Sequence, residues 1–161
     1  MRLLQGPVSP EASAASMARI QQRWETQGWG LFAVERQDTS TFLGYCGLAP
    51  VTFDAAFSPK VEVGWRLAHE HWGNGFATEA ASAVLDWTFD ELQWPEIISF
   101  TRAENAASQA VMARLGMERE PRNDFDLTSP PGGEGLPRHL FYRLRADAWH
   151  RTRRPSGQGR L

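Results

Sequence analysis

The chain has 161 residues, 42% of them hydrophobic and 22% charged, with a formal net charge of −2. That length and balance describe a single domain able to bury a core, and the near-neutral charge gives no electrostatic case for nucleic acid as a partner. A lone cysteine, Cys46, excludes an internal disulfide and suits a reducing cytoplasm, and with no apolar run of membrane-spanning length and no signal-peptide pattern, no membrane association is expected.

Ser9-Pro10-Glu11 reads as an N-cap, a proline in the first turn and an acid near the helix start, which predicts a helix to about Gln27. Met17, Ile20 and Trp24 share one face of it and are expected to form its buried stripe. Gly28 and Gly30 end the helix, Leu31 to Glu35 reads as a strand, and Phe42 to Val51 as a second one. Gly44 and Gly47 within that strand predict a bulge or a close backbone contact, and Cys46 beside them reads as an inert buried thiol. Val61 to Leu67 alternates, with Val61, Val63, Trp65 and Leu67 on one face and Glu62 and Arg66 on the other.

Next comes Trp72-Gly73-Asn74-Gly75-Phe76-Ala77-Thr78-Glu79-Ala80, a glycine turn running into an apolar-periodic helix that extends to about Leu92. A strand, a small-residue turn and a helix N-terminus make an anion site, because the first amides of a helix have no partner within it. No Lys follows the second glycine, so the nucleotide P-loop is excluded, and the glycine spacing falls short of the dinucleotide fingerprint. A pyrophosphate held by backbone amides fits better. His69 and His71 flank Glu70 just before the turn, which is too little for a metal site.

Ile97 to Thr101 is a short β-branched strand. Asn105 caps a helix that ends near Leu115 before Gly116, and Met117 to Arg119 reads as strand. Pro121 to Pro137 is a long loop, and His139 to Leu144 is the last strand. The tail from His150 is basic and rich in Gly, Pro and Ser, which predicts disorder over 150–161. Without the tail's arginines the body is more acidic than the whole. The order of elements gives an α/β domain with a mixed sheet.

Two motifs resemble those of the GNAT superfamily of acetyl-CoA-dependent N-acetyltransferases, especially the branch containing the ribosomal-protein N-terminal acetyltransferases. One is Trp72-Gly73-Asn74-Gly75-Phe76-Ala77, similar to Q/R-x-x-G-x-G/A with Trp in the first place. The other is Asn105-Ala106-Ala107-Ser108 followed by Leu115-Gly116-Met117. The resemblance spans Ser9 to Trp149. It implies an α+β fold with a mixed, mostly antiparallel sheet of six to seven strands, helices on both faces and a splayed central strand pair. As a domain it implies one acetyltransferase unit over 1–149.

The resemblance also implies roles. Trp65, Arg66 and Leu67 would offer backbone groups to a pantetheine arm, and the segment from Trp72 through Gly73, Asn74, Gly75, Phe76 and Ala77 to Thr78 would hold the pyrophosphate. Asn105 would bind the cofactor or fix its loop, and Ser108 would line the cofactor and protonate the departing thiolate. Glu62, on the strand bordering the cleft, is the first candidate for the base, with His139 and Asp124 behind it and Asp126 a solvated or amine-attracting acid. Trp29 is expected near the acceptor site. Acetyl-CoA is the expected cosubstrate, with no metal. The expected acceptor is a primary amine, on a protein N-terminus or a small molecule, and the acidic body favours a cationic one. A homodimer is compatible with the fold. A non-catalytic acyl-CoA-binding module and a nucleotide-phosphate binder are the competing readings.

The family usually begins with a strand and helix ahead of the segment that opens this chain, about thirty to forty residues by ordinary element lengths. Without them the Leu31–Glu35 edge is expected to be exposed, and the chain less stable or more prone to self-association than a version extended upstream.

Overall fold

The computed structural model describes residues 9–53, 56–57, 59–126 and 138–153. Helix α1 (Pro10–Gln27) starts where Ser9 accepts a hydrogen bond from the Ala12 N–H at 3.2 Å and ends at Gly28 in the left-handed conformation. Strands β1 (Leu31–Arg36), β2 (Thr41–Pro50) and β3 (Val61–Leu67) follow, then α2 (Phe76–Asp90), β4 (Glu96–Arg102), α3 (Ala106–Arg114), β5 (Glu118–Arg119), β6 (Phe125–Asp126), β7 (Arg138–Arg145) and α4 (Ala146–Arg153). The seven strands form one sheet in the order β1-β2-β3-β4-β7-β5, with β6 also on β7. All pairings are antiparallel except β3 with β4. A mixed, mostly antiparallel sheet was the expectation.

The β3–β4 pair is parallel because α2 carries the chain back across the sheet between them. Its ladder holds a single register pair, Glu62 with Ile98, and β3 then departs from β4. On its other side β3 stays paired with β2 from Pro50–Val61 to Gly44–Leu67. The expected splay is therefore present, and it opens at Glu62. Close packing accounts for the glycines of β2: a Cβ on Gly47 would lie 2.3 Å from the Gly30 carbonyl oxygen, and one on Gly44 2.1 Å from that of Arg66.

One sheet face carries the main core. Leu48, Val63 and Ile97 meet Ala81, Val84, Leu85 and Phe89 of α2, Val111 and Met112 of α3, and Trp149 of α4. The buried positions of α2, with Thr88 among them, recur at the helical period. Each fully buried aliphatic side chain contributes roughly 1.5–3 kcal/mol. The opposite face is an aromatic layer in which Phe57 and Phe141 pack with Phe53, Phe100 and Phe125. The short helical turn Pro121–Asn123 lies just before Phe125.

Two segments differ from expectation. Helix α1 has no buried residue, and Met17 is 63% exposed. The helix touches the sheet margin through its last turns instead: Trp24 packs on Phe32 and Trp87 at 4.7 and 5.9 Å and donates to the Leu31 carbonyl at 3.0 Å. Of the expected stripe, only Trp24 and Ile20 are partly covered. At the other end, the chain stays helical through Arg153 where disorder was expected from His150. Asp86 of α2 explains this, accepting from the Trp149 indole at 2.9 Å and from Arg153 at 2.6 Å. Residues 154–161, the rest of the expected tail, lie outside the described residues, as do 127–137 of the long loop.

Candidate active site

The turn between β3 and α2 is built as its glycines suggest. Gly73 and Gly75 have φ of 78° and 84°, values that side chains disfavour, and a Cβ on either would meet nothing within 4 Å. Gly75 is the N-cap of α2 and offers no side-chain cap. The first amides of a 15-residue helix thus face an open space. Trp72 braces the turn: its indole donates to the Leu67 carbonyl at 2.9 Å, and its ring packs on His69 at 4.9 Å. That bond ties the turn to the end of β3. Asn74 is turned toward its own loop, donating to the carbonyl of Trp72 at 3.0 Å.

A groove of about 710 Å³ runs along this turn. Of the residues expected at a cofactor site, Trp65, Arg66, Leu67, Trp72, Gly73, Gly75, Phe76, Ala77, Thr78, Asn105 and Ser108 all line it, and Asn74 does not. Ser82 and Arg114 also line it. Neither was singled out from sequence, although the helical period from Thr78 leads to Ser82, and steps of three from Ser108 lead to Arg114.

A second cavity, of about 420 Å³, opens at the splay, and Glu62, Phe100, Arg102 and His139 line it. Its walls include Trp65, Arg66, Asn105 and Ser108, which also wall the groove. The two spaces therefore meet where β3 leaves β4.

Asn105 caps α3 and orients Ser108. Its Oδ1 accepts from the Ser108 backbone N–H at 3.1 Å, and its Nδ2 donates to Ser108 Oγ at 3.0 Å. The first bond fixes which end of the amide is oxygen. The second uses an acceptor site on the hydroxyl, so the serine proton is left to donate elsewhere. Glu62 is half-buried, and it has no hydrogen bond or ion pair among the described residues. Burial alone pushes its carboxyl up to about 8 from 4.5.

His139 is buried at the cavity and stacks on Phe125 at 5.3 Å. Asp124, behind Glu62 as a candidate base, is held within the fold. Asp124 accepts from Arg119 and from the Phe141 N–H, at 2.5 and 3.0 Å. Burial alone would raise its pKa, but these bonds and the charges of Arg119 and Arg138 outweigh it and hold the carboxyl below its ordinary range. Asp126 lies 3.6 Å from Arg138. Trp29 is absent from the cavity wall and packs edge-on against Trp94 at 5.5 Å, within the main core. His71 faces Glu70 at 3.9 Å, and no group of three or more His, Cys, Asp or Glu among the described residues is placed to hold a metal. No described helix is long and apolar enough to cross a membrane.

Cys46 is 1% exposed, and burial pushes its thiol up to about 12. The native protein is therefore expected to leave a colorimetric thiol reagent unreacted over the minutes of an assay, with one thiol appearing on denaturation. Prompt labelling of the native fold would contradict that burial.

Among known proteins, the chain is 36% identical over 123 residues to the FsC-acetyl coenzyme A-N(2)-transacetylase of Aspergillus fumigatus, covering 71% of this chain and 50% of that one. The chain spans about half the length of the first curated relatives it matches. Among solved structures, an acetyltransferase from Agrobacterium tumefaciens superposes with a TM-score of 0.66 at 28% identity, covering 87% of this chain and 74% of that one. The ribosomal-protein-S5-alanine acetyltransferase of Vibrio fischeri shares the fold, with a TM-score of 0.70 at 19% identity over 91% of this chain and 80% of that one. Residues 1–118 match the family described as "Acetyltransferase (GNAT) domain", and the chain belongs to the GNAT acetyltransferase family.

Proposed function

We propose that this protein is an acetyl-CoA-dependent N-acetyltransferase that moves the acetyl group directly to a primary amine. The observation that carries this reading is the meeting of groove and cavity at Trp65, Arg66, Asn105 and Ser108. A thioester lying along the groove would reach an amine in the cavity at that junction. The uncapped amides at the start of α2, with open space beside Gly73 and Gly75, suit a pyrophosphate.

The chain's own groups supply the three requirements of amide formation. Glu62, facing the cavity from the last paired position of β3, takes the proton from the incoming ammonium, directly or through a water, so that the amine attacks as a neutral nucleophile. Beyond Glu62 no residue of β3 pairs with β4, which leaves backbone N–H groups to polarise the thioester carbonyl. Nitrogen bonds to the carbonyl carbon, the carbon–sulfur bond breaks, Ser108 gives the leaving sulfur a proton, and the second proton, shed by the new amide nitrogen, restores the Ser108 hydroxyl. Asn105 holds Ser108 as that donor.

Ser108→Ala tests the assignment. It is expected to lower kcat by roughly ten- to hundredfold, the usual loss for one proton-transfer group, while acetyl-CoA affinity stays within about twofold. The readouts are release of the CoA thiol across an amine panel and calorimetric binding of acetyl-CoA. An unchanged kcat would remove Ser108 from the mechanism. Acetyl-CoA binding by the wild type with no acceptor turnover would favour the non-catalytic acyl-CoA module.

A further inference from the structure

The cavity beside Glu62 holds more than an amine requires. Arg102 ends β4 with its side chain on the same sheet face as Phe100 and Ile98, the register partner of Glu62. It is half-buried, lines the cavity, and takes no part in the groove along α2. Among the described residues its guanidinium has no hydrogen bond and no ion pair. The arginines of the neighbouring strands contrast with it: Arg119, Arg138, Arg143 and Arg145 each sit against a carboxylate. Glu62 does not serve as its counter-ion, because Arg102 lies four residues past Ile98, roughly 13 Å along the sheet.

The cavity is therefore bipolar. Glu62 stands at the splay, a planar cation with no partner among the described residues stands toward the end of β4, and Tyr45 and Phe100 also line the cavity. A half-buried guanidinium fits a carboxylate through two parallel N–H bonds. The local charge also opposes the acidic balance of the whole chain, which would favour a purely cationic acceptor.

We infer that the acceptor is a small aminocarboxylate, its amine directed to Glu62 and its carboxylate held by Arg102. This rests on the acetyltransferase reading above and names the substrate class of that site. A cavity of about 420 Å³ suits a molecule of amino-acid size.

The test compares ligands that differ only in the carboxylate: L-phenylalanine against phenethylamine, and 6-aminohexanoate against pentylamine. Binding to the CoA-loaded protein is measured by calorimetry and transfer by CoA release. The carboxylated member of at least one pair is expected to bind about tenfold more tightly or better, as for a charge-assisted hydrogen bond, and Arg102→Gln is expected to erase that preference. Equal or tighter binding of the plain amine in both pairs overturns the inference, as does a preference that survives Arg102→Gln. Binding and transfer fail separately. A carboxylate preference without transfer keeps Arg102 as a carboxylate site and counts against the acetyltransferase reading, whereas equal binding and transfer across both pairs does the reverse.

Discussion

Glu62→Gln is expected to lower kcat by roughly hundredfold or more, the usual range for loss of a general base, with acetyl-CoA affinity within about twofold of wild type. Glu62 lines the cavity at the splay and not the groove, which is why the two effects should separate. Stability should move the other way. The carboxyl titrates at about 8 in the fold against 4.5 in an open chain, so the folded state holds a proton that the unfolded state has released. Wild-type stability therefore falls as pH rises from 4.5 to about 8 and is level above that. Glutamine carries no such cost. The variant is expected to gain on wild type across that window, by about 2–3 kcal/mol once partial solvent contact is allowed for. Denaturant melts at both ends of the window check it. A variant that loses stability at high pH would mean that ionised Glu62 is well solvated or paired.

The second large effect belongs to the turn. Gly75→Asp should weaken CoA binding by roughly hundredfold, whereas Gly75→Asn should cost at most about tenfold. Both residues tolerate the left-handed backbone better than other side chains, and a Cβ at Gly75 meets nothing within 4 Å. Their difference isolates one negative charge beside the amides that would hold the pyrophosphate. At a few ångströms near a protein surface, such repulsion amounts to about 4 kcal/mol per unit charge before salt screening. Calorimetric titration with CoA reads both variants. Equal losses for Asp and Asn would place the pyrophosphate elsewhere.

The elements around the site were legible because local rules governed them. The alternation from Val61 to Leu67 and the glycines of the turn gave β3 and the start of α2 at their observed bounds. Asn105 announced its helix in the same way, since a cap is a contact between residues three apart. What depends on distant partners was not legible. The apolar positions of α1 follow a helical period, but the helix meets the sheet only at its margin, so Met17 stays exposed. The arginines near the C-terminus read as a tail until Asp86, some sixty residues earlier, gathers Trp149 and Arg153 into α4. Asp124 read as a candidate base in a loop, and only the fold brings Arg119 and the Phe141 amide to it. The junction itself arises from the parting of two strands far apart in sequence, a tertiary fact that also brings Arg102 to the cavity at the splay.

The most direct test of the central claim is the pH dependence of kcat/KM at saturating acetyl-CoA. It should use an acceptor whose amine pKa is about 10 or above, so that it stays an ammonium across the range and the group that takes its proton is what titrates. The account predicts a rate that climbs with pH and levels off at about 8, the value burial gives Glu62, and a limb that vanishes in Glu62→Gln. The same rising limb in the variant would contradict it, because the proton would then be leaving through another group.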